Sequence, residues 1–181
     1  MTAAEINLVL ARIAAEILEK LGPDEDFAVI GIRRRGVPLA ERICERIKAA
    51  RGHAPPLGIL DITLYRDDLT TVSNRPMLRE TRIDFDINGR SLVLVDDVLF
   101  TGRTIRAALD GLVDLGRPER VQLAVLVDRG HRELPIQADY IGKTVQTKHN
   151  EIVEVQLREE DGQDGVVLIR PPRNVKKPKN K

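Results

Sequence analysis

The chain has 181 residues, with 29 Lys plus Arg against 28 Asp plus Glu, and a net charge of +1. That balance excludes global attraction to nucleic acid or an anionic membrane, so any anion recognition must be local. The length suits one domain that buries about 70% of its unfolded surface. A single cysteine, Cys44, excludes an internal disulfide, and no apolar leader or spanning segment opens the chain, which together predict a cytoplasmic protein without membrane attachment.

In chain order, Ala3 to Leu21 carries Ile6, Val9, Leu10, Ile13, Ile17, Leu18 and Leu21 at helical spacing, and Gly22-Pro23 ends it. Phe27 to Ile32 predicts a buried strand. It leads through Arg33-Arg34-Arg35-Gly36 into a helix with Pro38 in its first turn, burying Val37, Ala40, Ile43, Cys44 and Ile47. Leu57 to Tyr65 alternates as a half-exposed strand does. Residues 66–82, polar and Arg-rich, read as a mobile flap. After the Asn88-Gly89 turn, Ser91 to Asp97 is the most apolar strand and the predicted sheet centre. A helix follows over Thr104 to Leu115, with Ile105, Ala108, Leu109, Leu112 and Val113 inward, and then a strand over Val121 to Val127. From about residue 128 to 170, short segments at Tyr140 to Val145, Ile152 to Leu157 and Val166 to Ile169 predict a small hood. Residues 171–181 form a basic tail expected to be disordered. The alternation implies an α/β fold, a mostly parallel sheet flanked by helices, with ligands at the carboxyl ends of the strands.

Chemistry concentrates at one such end. Asp96 and Asp97 are like charges in adjacent positions, unfavourable without partners; a ribose diol, aided by a divalent metal, would satisfy them. Thr101, Gly102, Arg103 and Thr104 present successive N–H groups at a helix N-terminus, where a phosphate is favoured. A nucleotide hydrolase would need a companion phosphate loop, but Gln137 stands where its glycine belongs ahead of Gly142-Lys143-Thr144. A loop with no ligand is the other alternative. His131 has no metal-ligand companion and reads as a loop residue. Arg129 could simply pair with Asp128 or Glu133.

VLVDDVLFTGRT, Val93 to Thr104, resembles the phosphoribosyl pyrophosphate motif of type I phosphoribosyltransferases. More narrowly, GIRRRG, DITLYRDDL, VDDVLFTGRTIRAALDGLVDLGRP and QLAVLVDRGHRELPIQADYIGK resemble bacterial bifunctional pyrimidine operon regulators with uracil phosphoribosyltransferase activity, over residues 5–170. The resemblance implies that fold, and conversion of uracil and phosphoribosyl pyrophosphate to UMP and pyrophosphate with Mg2+. By the same resemblance Arg34 and Arg35 hold pyrophosphate. Asp96 and Asp97 act at the ribose hydroxyls, and at the metal through ligand or water. Val98, Leu99 and Phe100 lead to the 5-phosphate cradle Thr101 to Thr104, Arg129 and the backbone near Val153 form the base pocket, and the flap closes over them.

The resemblance further implies a homodimer that binds pyrimidine operon leader mRNA under the control of uridine nucleotides such as UMP and UTP, attenuating transcription. With 3% aromatics and no Trp, RNA reading would fall to cations and shape. The candidates are Arg12, Arg132, Lys143 and Lys148. Ala11 and Ala15 stand where a Thr and a His are expected, and Gln137 where an Arg is, which removes polar contacts. Two further functions stay open: an RNA-binding nucleotide sensor with vestigial transferase activity, and a purine-salvage phosphoribosyltransferase without an RNA role.

Overall fold

The computed structural model describes residues 1–22, 25–65 and 81–171. Most of the predicted flap and all but the first residue of the predicted tail lie outside the described residues. Helix α1 (Ala3–Leu21) starts at a capping box, with the Glu5 N–H donating to Thr2 Oγ1 at 3.3 Å and the Thr2 N–H donating to the Glu5 carboxylate at 2.7 Å. Five strands, β1 (Phe27–Ile32), β2 (Leu57–Leu60), β3 (Ser91–Leu99), β4 (Arg120–Asp128) and β5 (Tyr140–Thr144), form one sheet in the order β2-β1-β3-β4-β5, every neighbouring pair parallel. Helices α1 and α2 (Gly36–Arg51) cover one face, and α3 (Arg103–Leu115) covers the other. The inner strands are therefore buried on both faces: Val93 and Val95 of β3 join one core, Leu92 and Leu94 the other. The chain runs outward from β1 to β2, then returns to place β3 on the other side of β1. The carboxyl ends of β1 and β3 thus flank the point where the winding reverses, where open α/β sheets bind ligands.

The hood is smaller than expected. Tyr140–Thr144 is the edge strand of the main sheet, because Tyr140 is fully buried and its hydroxyl donates to Gln122 Oε1 at 3.1 Å. The hood proper is the antiparallel pair β6 (Ile152–Gln156) and β7 (Gly165–Ile169), joined through the short helix α4 (Arg158–Asp161). Val155 and Leu157 tie it into the core beneath α1 and α2.

Three other expectations change. Leu57 to Tyr65 is not one strand: pairing ends at Leu60, opposite the last residue of β1, and Asp61 then accepts bonds from the Thr63 N–H and hydroxyl, winding the chain into a 3-10 turn. Val113 is 73% exposed, its place taken by Ala107 and by Gly111, which abuts the Tyr65 ring. Val37 is only half-buried. Of the predicted flap, Arg82 is described and exchanges two 2.8 Å backbone bonds with Ile59, while Thr81 Oγ1 accepts from the Asp61 N–H. No helix among the described residues is long and apolar enough to cross a membrane.

Candidate active site

The turn after β1 and the end of β3 meet because Gly36 has no side chain. A Cβ there would lie 2.3 Å from the Val95 carbonyl oxygen, so the start of α2 rests directly on β3 beside Asp96. The turn holds a cis peptide between Arg33 and Arg34. The charge of Arg35, at the end of this turn, is felt at Asp97.

The sequence expectation ends β3 at the two acids; the strand instead continues to Leu99, paired with Asp128 of β4. Each carboxylate accepts the next residue's N–H: Asp97 N–H to Asp96 Oδ1 at 2.9 Å, and Val98 N–H to Asp97 Oδ1 at 2.8 Å. Asp96 is 6% exposed. Burial, reinforced by the neighbouring charge of Asp97, pushes the Asp96 carboxyl well above the usual carboxylate range. Burial also raises Asp97, but the Val98 N–H and Arg35 oppose it. The pair thus differs in environment: Asp96 keeps its proton longer, and Asp97 carries charge toward Arg35.

Gly102, at φ +91°, turns the chain into α3 without a side-chain cap. The first helical bond is from the Arg106 N–H to the Gly102 carbonyl, so the N–H groups of Arg103, Thr104 and Ile105 precede the helical ladder; the Arg103 N–H also makes a long 3.4 Å bond to Thr101 Oγ1. This candidate cradle is buttressed from behind. The Thr101 carbonyl accepts the N–H groups of Glu133 and Leu134, and Glu133 accepts from Arg103 Nε at 2.7 Å. Between acids and cradle, Leu99 turns its side chain into the core and Val98 is half-buried against the opposite core, so both contribute backbone to the crevice.

Phe100 lies beneath the Arg129 guanidinium, 4.1 Å from ring centroid to Cζ, with the rings of His131 and His149 at 5.8 and 5.4 Å. Arg129 pairs with neither Asp128 nor Glu133. Buried at 6% exposure, it donates to Thr147 Oγ1 and to the Lys148 carbonyl, tying the 145–149 loop to the end of β4. Burial lowers its pKa. His131 holds the same loop through the Thr147 carbonyl, 2.7 Å from Nε2. Val153 sits in β6 opposite Leu168, its side chain half-buried against the core.

The RNA candidates separate into two kinds. Arg132 is not a surface cation: it bonds the Asp128 carboxylate and the carbonyls of Phe100, Gly130 and Ile136, and so braces the loop behind the cradle. Arg12, 46% exposed, bonds Glu16 and the Ile141 and Gly142 carbonyls, which puts it beside the exposed Lys143 on the edge strand. Lys148 is exposed on the loop beyond β5. A cleft of about 600 Å3 opens between that loop and the Arg129–Arg132 segment, with Gln137 on its wall.

Sequence reasoning missed the hood's acids. Arg35 grips Asp161 with two bonds of 3.1 and 2.8 Å, Arg34 approaches Glu160 at 3.8 Å, and Arg42 bonds both Glu159 and Asp164. The available signal was complementary: an acid-rich run, Glu159-Glu160-Asp161, against the Arg33-Arg34-Arg35 run.

Known proteins resemble this chain over most of its length. The phosphoribosyl transferase domain family matches residues 2–160. The chain is 59% identical to the bifunctional protein PyrR of Thermus aquaticus over 168 residues, 93% of each chain. It is 58% identical to that of Chloroflexus aurantiacus over 174 residues, 96% of each. Among solved structures, a ternary substrate complex of hypoxanthine phosphoribosyltransferase from Trypanosoma cruzi superposes with a TM-score of 0.72 at 20% identity, covering 94% of this chain and 93% of that one. A hypoxanthine-guanine phosphoribosyltransferase from Bacillus anthracis gives 0.66 at 17% identity, covering 84% of each. At such identities the two structures speak for the fold alone.

Proposed function

Since the chain belongs to the PyrR family of phosphoribosyl transferase domain proteins, we propose that it converts uracil and phosphoribosyl pyrophosphate to UMP and pyrophosphate, and that it also binds pyrimidine operon leader mRNA in response to uridine nucleotides. The observation that carries the enzymatic half is the meeting, at the winding reversal, of the Asp96–Asp97 pair with two anion-holding segments. Those are the turn at Arg34 and Arg35 and the N–H cradle Thr101 to Thr104.

In the proposed reaction the C1–O bond to pyrophosphate breaks as the C1–N bond to uracil forms, and the uracil N1 proton is released. Positive charge develops on the pentose ring, and no protein nucleophile is required. Cys44, the one thiol, is buried. The cradle fixes the 5-phosphate, Arg34 and Arg35 hold the departing pyrophosphate, and Asp96 and Asp97 orient the ribose hydroxyls, with the Asp97 charge facing the developing cation. Arg129 and the backbone near Val153 would receive the base.

Among the described residues no group of three or more His, Cys, Asp or Glu side chains surrounds a single point. The oxygen donors of Asp96 and Asp97 suit Mg2+, which they would hold directly or through ligand or water. Bound there, Mg2+ supplies charge neutralisation for the leaving pyrophosphate.

Competition between uracil and hypoxanthine for radiolabelled phosphoribosyl pyrophosphate tests the transferase. Conversion of uracil alone supports it, preferential use of hypoxanthine would make it a purine-salvage enzyme, and no turnover would leave a nucleotide-sensing regulator. For RNA, Arg12, Lys143 and Lys148 remain as contacts, so filter binding to a pyrimidine operon leader should give a log–log salt slope of about −2, at about −0.7 per single-strand phosphate. A flat slope, or equal affinity for an unrelated RNA, counts against that half.

A further inference from the structure

The ion pairs that dock the hood onto the Arg33–Gly36 turn and α2 are unequal. Arg42 and Asp164 are nearly sealed from water, with side chains 13% and 6% exposed, and Arg42 also forks onto Glu159 with bonds of 2.8 and 2.6 Å. The chain's amino terminus adds a second clamp: the Met1 ammonium donates to the Val166 carbonyl at 2.6 Å, and the Val166 N–H donates to the Met1 carbonyl at 3.0 Å. These contacts hold α4 and β7 without help from Arg34 or Arg35. By contrast the Arg35–Asp161 pair is 27% and 21% exposed, and the Arg34–Glu160 pair is 54% and 30% exposed and 3.8 Å long. Wetter pairs are weaker and exchange partners more readily.

Asp161 is itself fixed, since its Oδ2 accepts the Leu157 N–H at 2.9 Å. Its carboxylate meets the guanidinium fork of Arg35 edge-on, the same two-pronged geometry that a phosphate oxygen pair adopts. The negative charges around Arg35 are Asp161 and Glu154 of the hood and Asp97 of β3. A diphosphate arriving at this turn adds charge to a crowd of carboxylates unless Arg35 leaves Asp161.

We propose that Asp161, seconded by Glu160, is an internal stand-in for pyrophosphate: it holds Arg35 in the ligand-free protein and competes with the diphosphate for that guanidinium, so the hood sets the site's diphosphate affinity. This rests on the assignment of Arg34 and Arg35 to pyrophosphate made above. The hood stays in place during the exchange because Arg42 and Met1 hold it; Arg35 is the part that moves. Asp161 is thereby a positioning residue acting through Arg35.

The test is calorimetric titration of inorganic pyrophosphate, with Mg2+ present, into the full-length protein and its variants. Asp161→Asn keeps an oxygen for the Leu157 N–H but loses the charge, and should tighten pyrophosphate binding about fivefold, the equivalent of one partly exposed ion pair. Asp161→Glu should return the affinity toward wild type. Glu160→Gln, which removes no backbone cap, should shift affinity the same way by a smaller factor. UMP affinity, which does not need the pyrophosphate turn, should be unchanged in all three. Unchanged or weaker pyrophosphate binding in both Asp161→Asn and Glu160→Gln overturns the stand-in and leaves a plain hood clamp. If instead Arg35→Met binds pyrophosphate as wild type does, the assignment of the turn fails, and this proposal with it.

Discussion

Gly36 lies so close to Val95 that a Cβ on Gly36 would stand 2.3 Å from the Val95 carbonyl oxygen and 3.3 Å from the Asp96 Cα. The contact is backbone on backbone, so no rotamer change relieves it. Gly36→Ala must lift the first turn of α2 off β3, and should destabilise the fold by about 2–3 kcal/mol in urea titration. Because that lift also carries Arg35 away from Asp97, pyrophosphate binding should weaken in parallel. An alanine variant of wild-type stability would show that the two segments do not bear on each other.

Asp96→Asn separates the two roles of a buried acid. Burial raises the folded-state pKa of Asp96, so its contribution to stability is fully present below the unfolded value of about 3.9 and is lost as pH rises through the folded value. Asparagine resembles the protonated form at every pH. In metal-free buffer the variant should match wild type near pH 4 and melt progressively higher than wild type as pH increases, while transferase activity falls. Melting curves across pH, set beside uracil turnover, read both effects.

The Arg42–Asp164 pair has the opposite sign. Hydrogen bonding to Arg42 holds the Asp164 carboxyl below its ordinary range. Its stability contribution is therefore present above about pH 3.9, the unfolded value, and is lost as pH falls through the depressed folded value. Asp164→Asn should cost about 1–2 kcal/mol at pH 7, since it breaks a largely buried pair while Glu159 still holds Arg42. The gap between variant and wild type should close on acidification, as measured by thermal melts from pH 7 downward.

Cys44 faces the core from α2, 6% exposed, and burial pushes its thiol up to about 12. Thiolate, the reactive form, is then scarce at neutral pH. Native protein at pH 8 should resist a disulfide-exchange reagent and titrate one thiol only after denaturant is added. Prompt labelling of the folded chain would contradict this packing.

Much of the fold was written in short-range pattern. The stripe Ile6, Leu10, Ile13 and Ile17 makes α1 a helix wherever it docks, and Phe27 to Ile32 is too apolar for anything but a strand covered on both faces. The stretch Val93 to Thr104 marked the candidate site for the same reason: adjacent acids, a glycine and a helix start lie within a few residues of one another. Tyr140–Thr144 was misplaced because a short strand carries no mark of which sheet receives it. That was decided by a buried tyrosine needing Gln122 on β4. Arg132 read as a surface cation because nothing in its neighbours in sequence shows that the Phe100 carbonyl and Asp128 converge on it.

The sequence by itself determined α1 to α3 and the strands β1, β3 and β4, and it marked out candidate groups for a phosphorylated sugar, since each depends on periodicity or on residues a few positions apart. Tertiary structure alone decided the charge partners. Arg35 meets Asp161 across 126 positions, and Arg42 meets Asp164 across 122. Coulomb attraction acts on distance through space, and only the packing of α2 against the hood makes those distances short.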